Sequence, residues 1–288
     1  MKFVLVGHFC FDVCHPAEGE QDERLGGIFN AASMLSLLSG KSNTIVPVCG
    51  IARDDFARVA SAFEDLPGVS TDGLYKIDMP TNRVHVFPGA NGQSVVCSKD
   101  IAPPIPFERL RRHIASDGML VNMISGFDIT LETLDQIRIQ SREERTVLHF
   151  DFHNLTLGKN DRNERYRRPL DTWRRWAFMV DTIQLNEEEI AGLDHAISNE
   201  TSIIGHMLTL GVKGVVVTRG SRGLTVYVDS QKHVVRQDLE IEPFDGNAPL
   251  GSGDQFGAAF FFNFVTTKDI IASAHAAASA VSKIVHHK

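Results

Sequence analysis

Short apolar runs rich in β-branched residues alternate along this chain with longer stretches whose apolar residues recur at helical spacing. The runs at 2–7, 44–51, 118–124, 145–150, 182–185 and 214–218 read as strands buried on both faces. Stretches 31–38, 54–66, 131–140, 197–210, 255–265 and 269–285 read as helices between or after them. Such alternation predicts parallel βαβ units and an α/β fold. No internal repeat or low-complexity linker appears, so residues 1–288 are expected to form one domain. One part breaks the pattern. Residues 81–87 alternate polar with apolar or aromatic side chains, 88–92 is turn material, and 93–97 is a second β run closed by Pro103, Pro104 and Pro106. A two-stranded ribbon is marginal alone and must lean on another surface. By itself it reads equally as an ordinary surface hairpin or as a cover over something.

Composition narrows the functional classes. With 43% hydrophobic and 23% charged residues, the chain can bury a large core and leaves no room for extensive disorder. A net charge of -7 argues against nucleic acid or an anionic membrane surface as the main partner. No apolar run approaches the ~20 residues of a membrane span. The opening residues lack the long apolar region of a signal peptide, so a cytoplasmic location is expected. Cys10, Cys14, Cys49 and Cys97 show no paired C-x-x-C spacing. His8 and His15 beside Cys10 and Cys14 invite a zinc reading. That segment reads as strand end and loop, however, and reduced, partly buried thiols are the better reading. The arginines between 162 and 175 are mixed with acids and a proline around Trp173 and Trp176. They read as a solvated face leading into an amphipathic helix, although a guanidinium there is suited to an anionic substrate.

Candidate chemistry concentrates near the C-terminus, where Pro249-Leu250-Gly251-Ser252-Gly253-Asp254 runs into a long apolar segment. Two glycines let the backbone approach a ligand, and the following helix presents unpaired N–H groups and the positive end of its dipole. Asp254, at the first turn, would stand beside a bound anion where a base is needed for phosphoryl transfer to a hydroxyl. Glycine plus aspartate is also ordinary helix-capping chemistry, and the motif alone does not separate the two.

Four further elements occur in order: the strand ending at Gly7 with Asp12 beyond it; Gly26-Gly27-Ile28-Phe29-Asn30; Asn186-Glu187-Glu188-Glu189 after a strand; and Thr218-Arg219-Gly220-Ser221-Arg222-Gly223. With Gly251-Ser252-Gly253-Asp254, this ordered set resembles the ribokinase-like (PfkB) family of carbohydrate kinases over nearly the whole chain. The resemblance implies a three-layer α/β/α fold with a mostly parallel central sheet and a small β lid, its elements at about 8–28 and 78–102. It implies an ATP-dependent kinase that phosphorylates a sugar hydroxyl, with Asp254 as general base and Gly251, Ser252 and Gly253 completing the anion hole. Asp12, Gly26, Gly27 and Asn30 fall where the family binds sugar, although lone Asp and Asn residues also cap turns and helices. Asn186 and Glu189 fall at the family's phosphate and Mg²⁺ ligands, usually acting through water. The glutamates also suit a helix start. Thr218, Gly220 and Gly223 match the loop along the nucleotide, and His275 takes the place of a residue bordering adenine or is a half-exposed helix histidine. The resemblance allows a homodimer through the lid.

Departures bear on these expectations. Ala248-Pro249 replaces the family's Asp-Thr, which leaves a monovalent-cation site doubtful, and Asp245 is too early in the chain to be assumed a substitute. Ala52 and Ala57 stand at glycine positions, and Phe150-Asp151-Phe152-His153-Asn154 replaces an Asp-Pro-Asn followed by arginine. The chain stops soon after the last helix, so an adenine pocket would be shallow or completed differently. Two alternatives follow: a degenerate kinase fold that binds without turnover, and a nucleoside kinase using Phe9, Phe11 and Phe29 as a base slot.

Overall fold

The structure, a computed structural model, describes residues 1–16, 19–88, 94–193, 199–230, 233–241 and 249–286. Its strands are β1 (Lys2–Val6), β2 (Phe9–Cys14), β3 (Asp22–Gly27), β4 (Thr44–Ala52), β5 (Leu74–Ile77), β6 (Asn82–Pro88), β7 (Ser94–Lys99) and β8 (Gly118–Asn122). There follow β9 (Val147–Asp151), β10 (Leu157–Lys159), β11 (Arg165–Arg167), β12 (Thr182–Asn186), β13 (Gly214–Thr218), β14 (Leu224–Asp229) and β15 (Val234–Leu239). The helices are α1 (Ile28–Ser39), α2 (Phe56–Glu64), α3 (Phe107–Leu110), α4 (Leu131–Glu144), α5 (Trp173–Phe178), α6 (Glu187–Ala191), α7 (Glu200–Thr209), α8 (Ser252–Thr267) and α9 (Ile270–His286).

Nine strands form the central sheet in the order β15-β14-β13-β12-β9-β8-β1-β4-β5. Every pairing from β13 to β5 is parallel, and β14 and β15 add an antiparallel edge. Alternate residues feed two cores. Val4, Val6, Met119, Val121, Phe150 and Ile183 pack with Leu134, Ile137, Trp173, Ile204 and Met207 of the helices on one face. Phe3, Leu5, Leu120 and Val216 pack with Leu35, Phe63, Phe260, Phe261 and Phe264 on the other. This is the three-layer α/β/α arrangement, and burial on both faces explains why the parallel strands are continuously apolar.

A second sheet has the order β3-β2-β6-β7, with β2–β3 and β6–β7 antiparallel and β2–β6 parallel. The ribbon expected at 81–97 is therefore half of a four-stranded sheet; of the turn expected at 88–92, Pro88 ends β6 and residues 89–92 lie outside the described residues. The sheet leans on the body through Phe11, which stacks edge-on with Phe9 and lies under the Arg58 and Arg83 guanidiniums. Phe9 and Phe29 both meet Phe63 of α2.

Several boundaries differ from the sequence reading. Cys10 and Cys14 lie in β2 rather than in strand end and loop, and all four cysteines are free thiols. Arg145 caps α4 with a left-handed φ of 57°, so the strand expected from 145 starts at Val147. The helix start expected at 197 lies outside the described residues, as do Asp245 and Ala248. Strands β5, β14 and β15 of the central sheet were not predicted: β5 and β15 lie at its two edges and mix exposed with half-buried side chains, and β14 is a largely buried antiparallel strand beside β15. Among the described residues, no helix is long and apolar enough to cross a membrane.

Candidate active site

Four neighbouring parallel strands end on a polar residue: β8 on Asn122, β9 on Asp151, β12 on Asn186 and β13 on Thr218. Parallel register places Asn122 beside Asp151 and Asn186 beside Thr218. Their row borders the N-terminus of α8. Gly251 caps that helix with φ 83°, and a Cβ there would sit 2.3 Å from Asn30 Nδ2, so the turn needs glycine for both backbone and space. Ser252 N–H donates to Pro249 O (3.0 Å), which spends it inside the turn. The N–H groups of Gly253 and Asp254 belong to the first helical turn, where no preceding carbonyl of the helix can accept them.

Asp254 is 4% exposed and held from three directions. Its Oδ2 accepts from Asn30 Nδ2 at 3.2 Å, and its Oδ1 accepts from Asn122 Nδ2 at 2.9 Å. His153 Nε2 stands 3.2 Å from the same Oδ1. Across the cleft, Asp12 projects from β2 over Gly26 of β3, where a Cβ would lie 2.1 Å from its Oδ2. Gly26 is thus small to make room for a carboxylate, and Gly27, at φ 61°, turns the chain into α1.

Burial pushes the Asp12 carboxyl up to about 6; the Cys10 thiol opposes this, the Asp254 charge adds to it, and His153 and Arg24 oppose it. Asp151, also buried, is pushed well above the carboxylate range by burial, with Glu189 and Asp254 adding to it against His153. Its oxygens accept from His153 N–H (3.2 Å) and Gln184 Nε2 (3.0 Å), and Gln184 Nε2 also reaches Gly253 O (3.1 Å). Burial works against charge on His153, but Asp254, then Asp151 and Glu189, outweigh it and lift the imidazolium to about 10.

Asn186 and Glu189 form a capping box at the start of α6. Glu189 accepts from Asn186 N–H (2.8 Å) and Nδ2 (2.7 Å), while Asn186 Oδ1 accepts from Glu189 N–H (2.8 Å). Burial raises Glu189 to about 7 against the pull of His153. Asn186, Glu189, Thr218 and Gly253 line one cleft with Asp151, His153, Gln184 and Leu185. The other expected nucleotide residues differ in kind. Gly220 has φ 58° and open space where a Cβ would be, whereas a Cβ on Gly223 would meet Leu239 O at 2.1 Å. His275 faces Gln237 (3.2 Å) in a separate open cleft with Ile241 and Lys283. Among the described residues, no cluster of three metal-ligating side chains occurs, and Cys10 and Cys14 build none with His8 and His15.

Sequence reasoning missed Asn122, Gln184 and the Asp254 contact of His153, and it missed Asn82. Asn82 pairs with Cys10 in register, which puts it on the Asp12 face of the small sheet, and it is 1% exposed with neither amide atom partnered.

No protein-family model matches the chain, and no curated protein matches its sequence. Solved structures do. A pyrophosphate-dependent kinase in the ribokinase family, in complex with sulfate, matches with a TM-score of 0.81 at 16% identity, covering 99% of this chain and 95% of that one. A Thermotoga maritima ribokinase matches with a TM-score of 0.75 at 19% identity, covering 99% and 92%. An Arabidopsis thaliana ribokinase complexed with ribose and ATP matches with a TM-score of 0.71 at 20% identity, also covering 99% and 92%. The nine-stranded sheet between two helical layers, the small sheet beside it and these superpositions together give this chain the ribokinase-like fold.

Proposed function

We propose that this protein is a kinase that transfers a phosphoryl group to a hydroxyl of a sugar or related polyol, with ATP as donor. The observation that carries the reading is Asp254: a buried carboxylate in the first turn of α8, fixed by two amides and one imidazole. The N–H groups of Gly253 and Asp254 supply the electrostatic stabilisation expected of an anion hole. Asp12 and Asn30 receive the acceptor, a carboxylate being suited to hydroxyls because it only accepts. The acceptor hydroxyl gives its proton to Asp254 as its oxygen bonds to phosphorus, and the bond to the donor's leaving phosphate breaks.

The residues present fit magnesium in one way only. Both Glu189 oxygens are engaged by Asn186, so Glu189 and Asn186 would hold the ion through its waters, as suits a cation that keeps most of its hydration. When bound, the ion neutralises phosphate charge. On the donor side, Thr218 and Gly220 run along the nucleotide, and Gly223 serves the turn into β14. A pyrophosphate donor is a second reading, favoured by the donor of the similar kinase and by the separation of His275 from the cleft. The small sheet closes over the acceptor and excludes water. Its exposed Phe87 and Val95 are the surface for a homodimer. A cytoplasmic location suits the four free thiols.

Phosphoryl transfer is measured from Mg-ATP and from Mg-pyrophosphate to ketoses, aldoses, cyclic polyols, sugar acids, sugar phosphates and nucleosides. Acceptor-dependent turnover that falls by ~10²–10⁴ in Asp254→Asn supports the reading. An unchanged rate in the variant refutes the base, and binding without turnover on every acceptor refutes the kinase.

A further inference from the structure

We infer that His153 is a catalytic residue, an imidazolium that contacts the phosphoryl group in transit while it holds the base, in the place where a lysine or arginine would serve. The inference rests on the kinase reading above. A phosphoryl group in flight carries negative charge on three oxygens, and the site must offset it. The cleft beside Gly253 is lined by Asp151, His153, Gln184, Leu185, Asn186, Glu189 and Thr218, so histidine is its one basic side chain among the described residues. Nearby arginines are committed elsewhere. Arg167 is paired with Glu188, Arg219 with Glu200 and Glu187, and Arg222 with Glu187.

Geometry separates this role from that of a buried counter-ion. The Asp254 side chain is 4% exposed and that of His153 is 33% exposed, so the ring covers the carboxylate from the cleft side. Asp254 already has two amide donors, from Asn30 and Asn122. With Nε2 on Asp254, the other ring nitrogen, Nδ1, has no hydrogen-bond partner among the described residues. The backbone is also unusual. His153 has φ 37°, a left-handed conformation that an L-residue keeps only when its surroundings impose it. Here they do. Its N–H is bound to Asp151 Oδ1, and the next residue is bound twice, Asn154 N–H to Met123 O (3.0 Å) and Asn154 Nδ2 to Ile124 O (2.5 Å). The turn aims one ring at the junction of base and anion hole.

In the transfer step, the hydroxyl proton passes to Asp254, the new oxygen–phosphorus bond forms, and the electrons of the broken bond leave with the donor's phosphate. His153 gives and takes no proton. It supplies charge.

The test compares His153→Gln, which keeps a donor for Asp254 without charge, with His153→Arg, which keeps the charge. Turnover is measured with the best acceptor, and tungstate binding is measured by calorimetry without nucleotide. Expected are a kcat loss of ~10²-fold in His153→Gln with acceptor KM within about threefold, and ~10-fold weaker tungstate binding. His153→Arg should recover most of both. A His153→Gln kcat within about threefold of wild type, or equal losses in the two variants, overturns the assignment. If wild type turns over no acceptor, the kinase reading fails by itself. The tungstate arm still decides His153, because equal binding by wild type and His153→Gln removes it.

Discussion

Asp12→Asn tests whether the small sheet carries a charge that folding disfavours and a ligand requires. Asp12 is 8% exposed, and burial lifts its carboxyl from an ordinary 3.8 to about 6. Because the folded value is the higher one, the native state binds this proton more tightly than the unfolded chain. The associated stability is therefore fully present below the unfolded value and is lost as pH rises through the folded one. Two pKa units at 1.36 kcal/mol each give a loss of about 3 kcal/mol between about pH 4 and pH 7. Asparagine keeps the shape, keeps an acceptor for the Cys10 thiol, and has no charge to desolvate. Urea unfolding at steps across that range should show the variant gaining on wild type by up to about 3 kcal/mol toward neutral pH. In the same variant, acceptor affinity should fall, since one amide oxygen replaces two hydrogen-bond-accepting carboxylate oxygens. Stability curves that run parallel within about 0.5 kcal/mol across the range would refute the argument that this carboxylate is held against its own desolvation.

Four further substitutions test the site's walls. Gly26→Ala would place a Cβ 2.1 Å from Asp12 Oδ2, so the carboxylate must swing away; acceptor KM should rise more than kcat falls, and unchanged kinetics would mean that Asp12 does not bind the acceptor. Asn82→Leu removes a buried amide with no partner, so stability should hold or rise by ~1–3 kcal/mol while acceptor KM rises. A lowered unfolding midpoint would show that the amide is bonded within the fold. Gly220→Ala and Gly223→Ala form a pair read by donor KM and by melting. The first, with φ 58° and open space, should cost ~1–2 kcal/mol and weaken the donor, whereas the second drives a Cβ into Leu239 O and should chiefly destabilise. Equal effects of the two on donor affinity would undo the distinction.

The same contrast shows what a sequence can and cannot say about this site. The parallel strands were legible because burial on both faces leaves an unbroken apolar run. In the central sheet, the short half-buried edge strand β5 escaped, as did the antiparallel β14 and β15 at the other end. The glycines were legible as a set, but not their reasons. Gly26 yields to a carboxylate, Gly251 yields to Asn30 and needs φ 83°, and Gly223 merely clears a carbonyl of β15, yet all three read alike as letters. His153, Asn122 and Gln184 were harder, because what defines them is adjacency across strands. Asn122 and Asp151 are neighbours only because β8 pairs with β9, and Gln184 meets Asp151 only because β12 lies on the other side.

A usable signal was nevertheless present. In an open parallel sheet, ligands bind beyond the carboxyl ends of the strands. Once 118–124, 145–150, 182–185 and 214–218 are read as parallel strands, the polar residue that stops each apolar run should be taken as a site candidate. Applied to those runs, the rule selects Asp151 and Asn186, which directly follow theirs, and Thr218, which ends its own, whereas Asn122 lies inside the run at 118–124 and is singled out only by the observed end of β8. It would not have found His153, two residues past its strand in a left-handed turn that no pattern of apolar and polar letters encodes. The frame of this site follows from periodicity. The charge at its centre follows from one strained turn, and only coordinates reveal it.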